Sequence, residues 1–106
     1  MKLKVCGLSK KIEVEACIDG NVNFCGFILN YPKSHRHISF DKAKILTKIE
    51  KRKSNFVGVL VKPNEKELDL FSKLNFDYFQ IYGNHTSKEL SYIKKKYKKK
   101  IIGVVQ

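Results

Sequence analysis

Lys4-Val5-Cys6-Gly7 places a thiol at the end of a short apolar run, beside a glycine that lets the backbone turn away. A thiol so placed can face an open mouth instead of a core. A free cysteine in a strand is most often a small buried hydrophobe, but at a strand's carboxyl end it could serve catalysis, as a thiolate whose pKa nearby positive charge can tune. Lys4 stands two residues earlier, so on a strand its side chain points to the same face as Cys6. It either favours the thiolate or fills the interior as a polar plug. Arg36, within Pro32-Lys33-Ser34-His35-Arg36-His37-Ile38-Ser39, offers a planar fork that grips a carboxylate at two points, which lysine does less well. A solvated loop cation is the plainer account of it, although loops carry function disproportionately. His35 and His37 flank it, and with the three cysteines they show no metal-ligand spacing, so no metal is assigned. Gln80-Ile81-Tyr82-Gly83 brings a tyrosine to the end of another apolar run, where it can donate a hydrogen bond but does not titrate near neutral pH. Cys17 and Cys25 read as packing residues, the usual state of a free cysteine.

These residues need elements to position them, and the hydrophobic pattern supplies short apolar runs alternating with amphipathic ones. Leu3 to Cys6, Phe24 to Leu29, Asn55 to Val61, Tyr78 to Ile81 and Ile101 to Val105 read as strands. A first helix runs from Lys10 to Asp19, with Ser9 as N-cap and Gly20 just past its end. A second opens at Ser39 and Asp41 and runs to about Arg52. Asn64 with Glu67 precedes the apolar stripe Leu68, Phe71 and Leu74, and Thr86 with Glu89 is a capping box for a helix through about Lys98. Five strands alternating with four helices imply βαβ units and a parallel sheet. The spacing suits a β/α barrel and equally an open doubly wound sheet. The absence of a glycine-rich phosphate fingerprint after the first strand weakens the dinucleotide-binding form of the latter.

Composition narrows the class. A chain of 106 residues makes one domain at most, and 42% hydrophobic with 30% charged residues is a globular balance. No apolar stretch approaches the roughly 20 residues that span a bilayer. No secretory pattern follows Met1-Lys2-Leu3-Lys4, so a cytoplasmic location is expected. Three cysteines at irregular spacing suit free thiols in a reducing compartment. The formal charge of +12 raises a nucleic-acid interface, but 20 of the 22 basic residues are lysines spread over every helix, and only Arg36 and Arg52 are arginines. Base readout and stacking favour arginine and clustered aromatics, so a lysine-rich solvated surface is the favoured account.

Taken in order, Lys4-Val5-Cys6-Gly7, Gly26-Phe27, the Pro32–Ser39 loop and Gln80-Ile81-Tyr82-Gly83 resemble phosphoribosylanthranilate isomerase, from Lys2 to Val105. The resemblance implies a TIM barrel of which residues 1–106 are the N-terminal part, strands one to five and helices one to four, with the C-terminal part absent. It implies an Amadori rearrangement of phosphoribosylanthranilate in tryptophan biosynthesis, with a small phosphorylated substrate and no cofactor. Cys6 would be the general base and Arg36 would face the anthranilate carboxylate, with Tyr82 and Lys4 also at the substrate. The family usually carries histidine where this chain has Tyr82. Its general acid follows the sixth strand and its phosphate site the seventh and eighth, so this chain alone is expected to be inactive and prone to self-association through open barrel edges. An inactive half-barrel scaffold and a lysine-rich nucleic-acid binder are the competing readings.

Overall fold

The structure, a computed structural model, describes residues 2–104. Five strands and four helices alternate along it: β1 (Lys4–Val5), α1 (Lys11–Asp19), β2 (Phe24–Ile28), α2 (Phe40–Leu46), β3 (Asn55–Val61), α3 (Glu65–Phe71), β4 (Tyr78–Tyr82), α4 (Ser87–Tyr97) and β5 (Lys100–Val104). The strands form one parallel sheet in the order β1-β2-β3-β4-β5. Sheet order therefore follows chain order, without the reversal that defines a doubly wound sheet. This is the winding of a β/α barrel wall.

Strand residues alternate between two environments, as a two-residue period requires. Cys25 and Phe27, Phe56 and Leu60, and Phe79 and Ile81 join Val14, Ile18, Leu46, Phe71 and Ile93 from the four helices in one core. Phe27 packs edge-on against Phe56 at 5.5 Å and against Phe76 at 6.0 Å between ring centres. Gly26, Val57, Val59, Gln80 and Tyr82 alternate with those core positions and so lie towards the opposite face of the sheet. One face of the sheet is thus packed, and the other is left to carry a site.

Three helices begin where their side chains say they should. Asn64 and Thr86 accept from the amides of Glu67 and Glu89, whose carboxylates accept from the capping residues in return. Ser39 accepts from the Lys42 amide. α1 differs: its N-cap is Lys10 rather than Ser9, and the Glu13 carboxylate bonds the amides of both Ser9 and Lys10. Gly20 closes α1 at φ −82°, and the left-handed residue is Asn21 at φ +58°.

α2 ends at Leu46, well before the expected Arg52. The Thr47 hydroxyl donates to the Ala43 carbonyl at 2.7 Å, a local bond that bends a helix end. The next amides, of Lys48 and Ile49, reach only three residues back at 3.3 Å, and Arg52 sits at φ +48°. At β5 the strand runs Lys100–Val104, and the expected final residue Val105 lies outside the described residues.

The loop from Asn30 to His37 is held at both ends. Asn30 exchanges two bonds with the Val61 backbone and donates to Glu67, and His37 bridges to Ile28. Inside it, the Ser34 and His37 amides donate to the carbonyls of Tyr31 and Ser34, making two successive turns. Loop residues are thereby fixed at the carboxyl ends of β2 and β3.

Candidate active site

Cys6 lies just past β1 and is exposed on the concave side. Two glycines put it there. Gly7 adopts φ +83°, a conformation that side chains resist, and its amide donates to the Gly26 carbonyl at 3.1 Å. Gly26 lies directly against the thiol: a Cβ there would stand 3.2 Å from Cys6 Sγ and 3.3 Å from its Cα. The missing side chain at position 26 is the space that Cys6 uses.

The thiol opens into a cavity of about 300 Å³ lined by Cys6, Ile28, Tyr31, Ser34, Val59, Val61 and Tyr82. Its walls are aliphatic, and its polar groups are one thiol and three hydroxyls. No carboxylate lines it among the described residues. A larger groove, about 410 Å³, lies between α3 and α4 and contains none of Cys6, Arg36, Tyr82 and Lys4.

Tyr82 and Cys6 thus share one cavity, as their strand-end positions predict. Lys4 does not line it. Its ammonium donates to Gln80 Oε1, and Gln80 Nε2 donates to the Tyr82 hydroxyl at 2.9 Å. Arg36 does not line it either but packs beside Gly7, the residue after Cys6: its Cβ and Cγ lie 3.3 Å from where a Gly7 Cβ would be. Its guanidinium, however, turns towards α1, with Nη1 3.2 Å from Glu13 Oε2 and about half of the side chain exposed. His35 is exposed on the same loop and His37 is half-buried.

Sequence reasoning passed over Glu13, Tyr31 and Ser34, and gave Gln80 no role of its own. Gln80 had a signal, since it is the one carboxamide in Tyr78-Phe79-Gln80-Ile81-Tyr82. Glu13 had one in its place at the third position of α1, where a carboxylate meets free amides. Tyr31 had none, because only the folding of its loop carries it to Cys6.

The electrostatics separate the groups. The Ser9 amide, followed by the Lys10 amide and Arg36, holds the Glu13 carboxyl below the ordinary range against a smaller effect of burial. Burial raises the Cys17 thiol and, with the neighbouring Cys17, pushes Cys25 up to about 11. Both are neutral packing thiols at neutral pH. Cys6 is the exposed one of the three.

The lysine surface is partly consumed by the fold. Lys96 pairs with Glu65, and Lys99 donates to the Leu74 and Phe76 carbonyls at 3.0 and 2.8 Å. No helix among the described residues is long and apolar enough to cross a membrane.

Sheet order and a thiol at the strand-end mouth define a protein of the β/α-barrel class. A family model described as N-(5'phosphoribosyl)anthranilate (PRA) isomerase matches residues 3–106, and the chain belongs to that family. An N-(5'-phosphoribosyl)anthranilate isomerase of Listeria monocytogenes is 34% identical over 90 residues, which are 84% of this chain and 44% of the relative. One of Staphylococcus carnosus is 32% identical over 98 residues, 92% of this chain and 46% of the relative.

Among solved structures, a phosphoribosyl anthranilate isomerase in complex with reduced 1-(o-carboxyphenylamino)-1-deoxyribulose 5-phosphate superposes with a TM-score of 0.86 at 25% identity, over 97% of this chain and 52% of that one. The Thermus thermophilus enzyme, at 20% identity and a TM-score of 0.83 over 97% of this chain and 50% of that one, shares the fold. The chain spans about half the length of the curated relatives it matches.

Proposed function

We propose that this chain supplies the proton-abstracting and carboxylate-facing part of an isomerase acting on N-(5'-phosphoribosyl)anthranilate, with residues 1–106 forming part of one barrel domain. The reading is carried by one observation: the Cys6 thiol shares a cavity with Tyr82, at the carboxyl ends of β1 and β4. In the proposed reaction an acid protonates the ribose ring oxygen and the ring opens to a protonated Schiff base. The Cys6 thiolate then removes the proton from the adjacent carbon. The released electron pair forms the enolamine, which takes a proton on the former imine carbon while the hydroxyl on the neighbouring carbon gives up its own proton, leaving the ketone. The chemistry needs no electron acceptor, because oxidation at one carbon is balanced by reduction at its neighbour.

The described residues fit the second half of this sequence better than the first. The cavity wall holds a thiol but no carboxylate, so the acid that opens the ring is assigned to a residue outside it. The family resemblance puts that acid after a sixth strand. Arg36 is assigned to the aromatic carboxylate: it stands beside Gly7, next to Cys6, and Glu13 takes one of its guanidinium donors, leaving others for a ligand.

The test is Cys6→Ala in the whole protein. Turnover should fall by roughly 10²–10⁴-fold with little change in binding of the reduced product analogue. Turnover equal to the parent's would remove Cys6 from the mechanism.

A further inference from the structure

We infer that Lys4, Gln80 and Tyr82 form a directed hydrogen-bond chain that makes the Tyr82 hydroxyl a donor to an oxygen atom of a ligand in the Cys6 cavity. The direction follows from what each group can do. An ammonium carries three donors and no acceptor, so the carboxamide facing Lys4 must present its oxygen. That choice fixes the other end. Gln80 Nε2 faces Tyr82 and donates to its hydroxyl oxygen at 2.9 Å.

Reversing the amide would set its NH₂ against the ammonium and its oxygen against Tyr82. Gln80 is only 7% exposed, so little water is available to compensate for the lost bonds. Lys4 thereby removes the two-fold ambiguity that a carboxamide usually has.

Having accepted from Gln80, the Tyr82 hydroxyl directs its own proton elsewhere. It has no protein acceptor among the described hydrogen bonds, and the side chain lines the cavity. The aliphatic wall of Ile28, Val59 and Val61 offers no acceptor, and the Cys6 thiol and the Tyr31 and Ser34 hydroxyls make no hydrogen bond with Tyr82 among the described residues. The acceptor this arrangement fits is an oxygen of the bound molecule. On the isomerase reading above, on which the ligand's identity rests, that is a hydroxyl or carbonyl oxygen of the sugar portion. Lys4 and Gln80 are positioning residues, and Tyr82 is the group that touches the ligand.

The experiment has a ligand-free and a ligand-bound arm, both on the whole protein. In the first, the tyrosine doublet of the Raman spectrum is read as the difference between each protein and its Tyr82→Phe counterpart. Gln80→Glu keeps the pair with Lys4 but cannot donate, so Tyr82 must turn and donate to it. The doublet should shift to the donor side. Lys4→Met, at an exposed position, should shift it partway, and Lys4→Arg should restore the parental spectrum. An unchanged doublet in Gln80→Glu overturns the directed chain, whatever the ligand is.

In the second arm, the reduced product analogue is titrated calorimetrically. Tyr82→Phe should weaken binding roughly three- to tenfold. Gln80→Glu should cost a similar factor, and should cost nothing further in the Tyr82→Phe background. Losses that multiply in the double variant would overturn the proposal. If the doublet shifts as expected but the parent does not bind the analogue, the isomerase reading fails and the directed chain stands.

Discussion

Arg36 Nη1 lies 3.2 Å from Glu13 Oε2, while the other oxygen of that carboxylate accepts from the Ser9 and Lys10 amides at 2.9 and 3.0 Å. One side chain therefore closes the start of α1 and holds the arginine that packs beside Gly7. Arg36→Ala should weaken anthranilate binding roughly tenfold or more while leaving an analogue without the carboxylate unaffected, and Arg36→Lys should recover only part. Equal losses for the two analogues would show that Arg36 does not meet the carboxylate. Glu13→Gln keeps an acceptor for the amides but loses the charge, and should cost the carboxylate contact roughly two- to fivefold.

The same carboxylate predicts a pH dependence. Glu13 titrates below its ordinary value of 4.5, chiefly because of the Ser9 amide. A depressed carboxylate contributes stability that is present above the unfolded value and is lost as pH falls through the folded one. The Arg36 contact should therefore survive acidification to pH 4.5 and disappear only below it. The carboxyl carbon shift of Glu13 followed by NMR reports this directly, and a midpoint at or above 4.5 would contradict it.

Thiol chemistry should be selective. Cys6 is exposed, whereas Cys25 is fully buried and titrates at about 11. Iodoacetamide at neutral pH should modify Cys6 first and leave Cys25 untouched in the folded protein, as read by peptide mass spectrometry. The reduced product analogue should slow that labelling. As pH rises from about 9 towards about 11, the unfolded chain releases the Cys25 proton before the folded one does, so stability should decline across that window.

Gly26→Ala should injure the site more than the fold. The new methyl group would stand 3.2 Å from Cys6 Sγ, so the thiol must move by a few tenths of an ångström. On the proposed role of Cys6 as base, a displacement of that kind lowers turnover while the melting temperature changes little. A large loss of stability with normal Cys6 labelling would reverse this assignment.

Phe27→Ala tests the packed face. Phe27 is fully buried between Phe56 and Phe76, and its removal should destabilise the protein by about 3–5 kcal/mol. Denaturant unfolding measures the loss. A cost below about 1 kcal/mol would mean that the helices do not close tightly over the sheet.

Most elements were legible in the chain because their signals are local. The Thr86–Glu89 and Asn64–Glu67 boxes start helices where they stand, and the apolar run Asn55–Val61 is β3 residue for residue. A cap, a turn and an apolar run act on neighbours a few residues away, so their outcome changes little when the rest of the chain folds. α2 departs from its expected length for a related reason: Ser39 starts it locally, but the Thr47 hydroxyl and the burial of its turn end it at Leu46 instead of near Arg52.

By itself the sequence determined which residues stand at the strand ends, Cys6 after β1 and Tyr82 closing β4, since a strand's phase and its following glycine are written in consecutive residues. The partners of those residues were decided by the tertiary structure alone. Barrel and doubly wound sheet share one periodicity, and only the order β1-β2-β3-β4-β5 separates them. Lys4 meets Gln80 across 76 positions, and Arg36 meets Glu13 across 23, because sheet curvature and loop anchoring bring them together. A side chain's hydrogen-bond partner depends on distances set by the whole sheet, and no local rule of spacing contains those distances.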